Sequence, residues 1–243
     1  MSLTETNLLE VAKKQYFSKF GSYSNLLWAL MVVQVLAVLS SLGGNGMSST
    51  GGQGINLQIT RYSSSLIVMC TMFWAIISGI ICTTTAYKNL DFTYVSSRLS
   101  SDISSIGFLL TAGFAAGVMS SLSGVLLRVI IFFTVGSQSI ALGYFFPPPQ
   151  DLLTGILSTT LYVILMSAIG YFVGTLTQVS RGFVILLPLV FIIAVRLPGV
   201  GAEIINTFVK ESSLLWFAVK VIAATAMLCC GAMLLSNRLE VRR

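Results

Sequence analysis

Apolar residues run through this chain in long blocks separated by short polar connections. Five blocks, Asn25–Leu42, Ser65–Ala86, Leu152–Leu176, Phe183–Leu197 and Ser213–Leu235, approach the roughly 20 apolar residues that a helix needs to cross a bilayer. The fourth is short and holds Pro188, which a helix tolerates in lipid because neighbouring helices satisfy the freed carbonyl. A sixth region, Ile106–Phe146, is too long for one ordinary span and short for a pair. It predicts either one long tilted helix or a helix that breaks near Ser120–Gly124 and ends in a partly re-entrant piece before Pro147-Pro148-Pro149.

Ahead of these blocks, Leu8, Ala12, Tyr16 and Phe20 recur every fourth residue, with Leu9 and Phe17 on the adjacent line. That spacing predicts one helical stripe. Lys13, Lys14 and Lys19 lie off the stripe, so residues 1–24 read as an interfacial helix on anionic lipid or as a lead-in to the first span. The basic residues lie far from the start and the apolar run is long, unlike a signal peptide. Gly43–Ser64, rich in Gly, Ser, Asn and Gln, reads as an external loop of low order. Pro198–Ser212 sets Glu203, Lys210 and Glu211 around Ile204, Ile205, Phe208 and Val209, as a short helix dipping into the outer interface would.

Charge decides the number of crossings. With a single span in 106–146 the total is six, and Lys13, Lys14, Lys19, Lys88, Arg98, Arg181, Arg238, Arg242 and Arg243 all face one side. Only Arg61, Arg196 and Lys210 fall clearly on the other. A hairpin at 106–146 would move Arg181 and the basic tail across and spoil the positive-inside bias. The expected fold is therefore an all-α integral membrane protein: an interfacial helix, then a six-helix domain over 25–243, with both termini cytoplasmic.

Composition narrows the chemistry further. Charged residues make up 9% of the chain and hydrophobic residues 55%, with mean hydropathy +0.90, against about a quarter charged in soluble domains. The net charge of +6 is scattered between apolar runs and does not form a nucleic-acid-binding face. The chain has no histidine, which removes Ser-His and Cys-His dyads and His-ligated zinc. Cys70, Cys82, Cys229 and Cys230 form no C-x-x-C pair and read as packing residues. No lysine follows a glycine, so there is no Walker A loop. Asp91, Asp102 and Asp151 fall at predicted interfaces, away from an aspartyl dyad inside the membrane. These patterns predict a chain that is not a catalyst and binds no cofactor or metal.

The longest internal polar segment on the inner side is Tyr87–Ser105, where Asp91, Arg98 and Asp102 interleave with Leu90, Phe92, Tyr94, Val95, Leu99 and Ile103. Val95, Leu99 and Ile103 stand four apart and would form an apolar ridge flanked by charge, a shape that docks into a partner's groove. Arg98 and Asp102 are also placed to pair with each other.

The run FTYVSSRLSSDISSIGFLLTA resembles the linker and following helix of small type-2 ABC exporter permeases of Gram-positive bacteria. Leu161–Ile192, with Gly170 and Gly174, is similar to their fourth and fifth helices, and Ser236–Arg243 to their basic tail. The resemblance extends over the whole chain in length and hydropathy. It implies a permease subunit in a bacterial cell membrane, paired with a second copy or a paralogous permease. A separate ABC ATPase subunit would carry ATP and Mg. Asp91, Phe92, Tyr94, Arg98 and Asp102 would form the coupling contacts in 87–105, and 198–212 would be the outer re-entrant element.

Two charges fall within predicted spans, Arg128 and Lys220. Each reads as lining a substrate path or holding an anionic lipid group, or as snorkelling to the headgroups. Gly113, Gly117, Ser120 and Gly124 recur at three- and four-residue steps and predict a close-packing helix face. Few polar groups occur in the spans, so the expected cargo is amphipathic or hydrophobic: a peptide antibiotic, a toxin or a lipid. The competing reading is a channel, secondary transporter or peptide-immunity scaffold that needs no ATPase.

Overall fold

A computed structural model describes residues 8–44, 46–52, 55–84, 98–135, 148–179 and 213–240, with isolated positions in between at 182, 183, 186, 189 and 193. The elements are α1 (Leu8–Ser22), α2 (Ser24–Leu42), β1 (Gly46–Gly52), β2 (Ile55–Arg61), α3 (Ser65–Thr83), α4 (Arg98–Val135), α5 (Pro149–Val179) and α6 (Leu214–Glu240). Among the described residues, five helices, α2 to α6, are long and apolar enough to cross a membrane. Phe183–Leu197, the expected short span, lies mostly outside the described residues. Within it the Leu186 N–H donates to the Gly182 carbonyl at 3.1 Å, the four-residue step of a helix.

Of the ambiguous region 106–146, the part up to residue 135 belongs to one unbroken helix of 38 residues with no break at Ser120–Gly124; the rest, where a re-entrant piece was expected, lies outside the described residues. At 1.5 Å per residue the helix is about 57 Å long, well beyond a hydrocarbon core of about 30 Å. Its start lies earlier than the apolar run predicts, because residues 98–105 are already helical. The last part of Tyr87–Ser105 is therefore the beginning of α4 rather than part of a separate polar segment.

Gly43–Ser64 also departs from expectation. β1 and β2 pair antiparallel, from Gly46 opposite Arg61 to Gly52 opposite Ile55. The signal was present in the second strand, where Ile55, Leu57 and Ile59 alternate with Asn56, Gln58 and Thr60, the period of a half-buried strand. Gly- and Ser-rich β1 hides its partner role because its own strand propensity is low.

Water is absent from the bilayer core, so apolar side chains gain little by leaving lipid, and helices associate through close contact of small residues. The tightest crossing here is between α3 and α5. A Cβ on Gly79 would stand 2.7 Å from the Tyr171 nitrogen, and one on Gly170 would stand 2.9 Å from the Ile76 Cα. On α4, Gly113 meets Ile164, Gly117 meets Thr160 and Gly124 meets Ser64. The predicted small-residue face thus packs within this chain, on α5 and the start of α3. The core gathers Leu26, Leu30, Trp74, Phe108, Ala112, Ala116, Val163 and Tyr171, and the Trp74 indole donates to the Leu26 carbonyl at 3.0 Å. Within its apolar window α3 is 44% buried and α6 only 17%. Hence α3 is the central helix and α6 the peripheral one.

Contacts set the helix directions. Ile76 meets Gly170 and Thr83 meets Gly174, so α3 and α5 run parallel. Tyr162 stacks near Phe217 at 4.8 Å and Phe172 meets Gly231, so α6 runs the same way. Consequently α1, the start of α4 and the final turns of α3, α5 and α6 gather at one end of the bundle.

Candidate functional site: a buried polar layer at one end of the bundle

The first turns of α4 are Arg98, Leu99, Ser100, Ser101, Asp102, Ile103, Ser104 and Ser105, an unusually hydroxyl-rich helix start. Ser104 and Ser105 turn their hydroxyls back to the Ser101 carbonyl at 2.9 Å each, the habit of serine inside helices. This leaves a polar surface, and α1 lies on it. The Lys19 ammonium donates to the Ser101 carbonyl at 3.0 Å and to Ser105 Oγ at 2.6 Å. Ser100 Oγ donates to Gln15 Oε1 at 3.0 Å.

This docking buries one line of α1 and leaves Phe17 and Phe20 of the expected apolar stripe exposed, while Lys19 departs from its expected place. The buried line is Ala12, Gln15, Lys19 and Tyr23, and Phe17 stands 64% exposed. Lys19, expected among lipid headgroups, is 2% exposed. The reason is complementarity: the serine-lined surface of α4 accepts a lysine and a glutamine better than a phenylalanine, since an ammonium withdrawn from water needs hydrogen-bond acceptors. Lys13 and Lys14 remain exposed. α1 passes into α2 at Tyr23, whose ring meets Phe108 edge-on at 4.9 Å.

On the other flank of the same turn, Asp102 is 3% exposed and accepts a hydrogen bond from the Tyr171 hydroxyl at 2.8 Å. Tyr171 is carried by α5 beside Gly170, so the tight α3–α5 crossing also aims its ring at α4. Two turns further along α5, Gln178 donates through Nε2 to the Thr83 carbonyl at the end of α3. The layer therefore ties α1, α3, α4 and α5 together.

The expected coupling residues divide. Asp91, Phe92 and Tyr94 lie outside the described residues; Arg98 opens α4, with its side chain outside the description. Asp102 does not offer its carboxylate to a partner, because it is enclosed by the bundle and engaged by Tyr171. The side of α4 that carries it meets α5.

Arg128 and Lys220 are far from this layer. Arg128 is exposed on α4, next to Leu127, which joins Ala37, Val38 and Ile67 in a second cluster with Leu42 and Tyr62 packed against it. It therefore stands level with the end of α2 and the start of α3, not in mid-span. Lys220 is half-buried between Phe217 and Val221, both clustered with Leu165 near the middle of α5. A shallow groove, lined almost wholly by apolar side chains of α4, α5 and α6, opens beside Tyr171. Among the described residues no three metal-ligating side chains come together.

The five apolar helices and the small-residue crossings that join them define a multi-pass helical membrane protein. Comparison with models of protein families, with curated proteins and with solved structures finds no match to this chain.

Proposed function

We propose that this chain is the permease subunit of an ATP-driven exporter, six helices moving an amphipathic or hydrophobic substrate across the membrane, with ATP hydrolysed on a separate ABC ATPase subunit. The observation that carries the reading is the clamped start of α4. A push on the chain just before Arg98 meets a turn bonded to α1 through Lys19 and to α5 through Asp102. Such a turn passes motion to the bundle instead of fraying, as a coupling segment requires. The resemblance of this same stretch to type-2 ABC permeases supports the assignment.

A sixth crossing is supported by direction. α5 ends at the polar layer, and α6 starts again near Tyr162 running the same way, so a crossing by Phe183–Leu197 would bring the chain back to where α6 begins. The inner placement of both termini, a bacterial cell membrane and a second permease copy complete the proposal, on the charge distribution and the resemblance.

The test is co-isolation. The tagged chain, extracted from its native membrane in mild detergent, is expected to bring an ATPase subunit in stoichiometric amount. Asp91→Lys and Arg98→Glu are expected to release that subunit without lowering the melting temperature of the permease. A clean chain with no ATPase would overturn the exporter reading in favour of a channel or scaffold.

A further inference from the structure

We propose that the side of α1 turned away from α4 binds acidic phospholipid, with Lys13 on the headgroup and Phe17 and Phe20 among the acyl chains, and that this lipid holds α1 on the polar layer. The contacts fix how α1 lies. Gln15 and Tyr16 are neighbours in sequence, yet they reach different depths along α4. Gln15 meets Ser100, whereas the Tyr16 hydroxyl donates to Thr111 Oγ1 at 3.3 Å and its ring stands by Gly107. Ser100 and Thr111 are about 16 Å apart along α4 at 1.5 Å per residue. Phe20, one turn beyond Tyr16 on α1, comes to the same depth as Tyr16: its ring meets Phe108 edge-on at 5.5 Å. Thus α1 crosses α4 steeply and does not run along it.

The crossing gives α1 two different edges. One, with Gln15 and Lys19, faces the serine turns at 100–105. The other, with Tyr16 and Phe20, faces 107–111, where the apolar run of α4 has begun. A helix laid across a spanning helix at the point of entry lies in the plane of the membrane surface, and its Tyr16 edge is the one towards the acyl chains. Lys13, Phe17 and Phe20 follow at four- and three-residue steps, so they share one line, next to that edge and away from α4. All three are exposed in the bundle, Phe17 the most. At this level the two rings enter the acyl boundary, and the lysine stem lies along them while its ammonium stays with the headgroups.

Charge selects the headgroup. α1 contains Lys13, Lys14 and Lys19 against one acid, Glu10. The Lys19 ammonium is engaged by Ser101 and Ser105 and does not reach the lipid. Lys13 and Lys14 are exposed, and a cation beside the membrane is attracted by acidic headgroups and not by zwitterionic ones. A basic helix that turns aromatic rings to the acyl chains therefore binds more tightly as the acidic share of the lipid rises.

The inference rests on the docking of α1 and is independent of the exporter reading. The full chain is placed in nanodiscs of phosphatidylcholine alone, or of equal parts phosphatidylcholine and phosphatidylglycerol, and amide hydrogen exchange is followed in 12–22. Phosphatidylglycerol is expected to slow exchange in α1 about fivefold, the factor that one lysine gains at an acidic surface, and to leave α3 unchanged. Lys13→Gln, at an exposed position, is expected to lose most of that slowing and Lys13→Arg to keep it. Equal exchange in the two bilayers overturns the proposal and leaves the face to a partner protein. Slowing that Lys13→Gln keeps in full overturns the site at Lys13. Slowing as large in α3 as in α1 is a response of the whole bundle and overturns a lipid held by α1.

Discussion

Replacing Tyr171 by phenylalanine removes one oxygen atom and keeps the ring, which is buried in the main apolar cluster. The oxygen lies 2.8 Å from Asp102 Oδ1, and both residues are at most 3% exposed. A hydrogen bond to a charged group contributes about 1.5–3 kcal/mol, and both partners here are buried. Tyr171→Phe is therefore expected to destabilise the protein by about 2 kcal/mol. Asp102→Asn alone is expected to cost a similar amount, because it weakens the acceptor while keeping its shape. The informative quantity is the double-mutant cycle, measured by reversible denaturation in a fixed detergent. Tyr171→Phe with Asp102→Asn should cost clearly less than the sum of the two single changes. Additivity to within about 0.5 kcal/mol would mean that the pair does not interact. The buried layer would then be no joint between α4 and α5, and the transmission argument built on it would fall.

Other consequences follow from the same packing. Gly170→Ala is expected to force α3 and α5 apart at Ile76 and cost about 1–3 kcal/mol, read as a lower melting temperature; an unchanged value would refute the close crossing. Lys19→Ala is expected to free α1 from α4, giving faster proteolysis between α1 and α2, while Phe17→Ser, on the exposed side, should change stability by no more than about 0.5 kcal/mol. The opposite ranking would place Phe17, not Lys19, against α4. Arg128→Gln is expected to leave folding within about 0.5 kcal/mol in a melting assay, since the guanidinium is exposed at the level where α2 ends. A large loss would place it inside the membrane after all.

The spans were legible because bilayer thickness acts on each segment separately. An apolar run of the right length is a local property, and α2, α3, α5 and α6 begin within a few residues of where their runs begin. Local pattern also announced the small-residue face of α4, since glycine and serine at three- and four-residue steps leave a groove whatever fills it. What the runs could not reveal was pairing. Lys19 and Asp102 are charged and by their own chemistry belong in water, so their burial depends on acceptors and donors far away in the chain: Ser101, Ser105 and Tyr171. The Gly- and Ser-rich strand β1 has no strand signature without β2. Hydrophobic length is written residue by residue along the chain, whereas the partner of a buried polar group is decided by which helices meet.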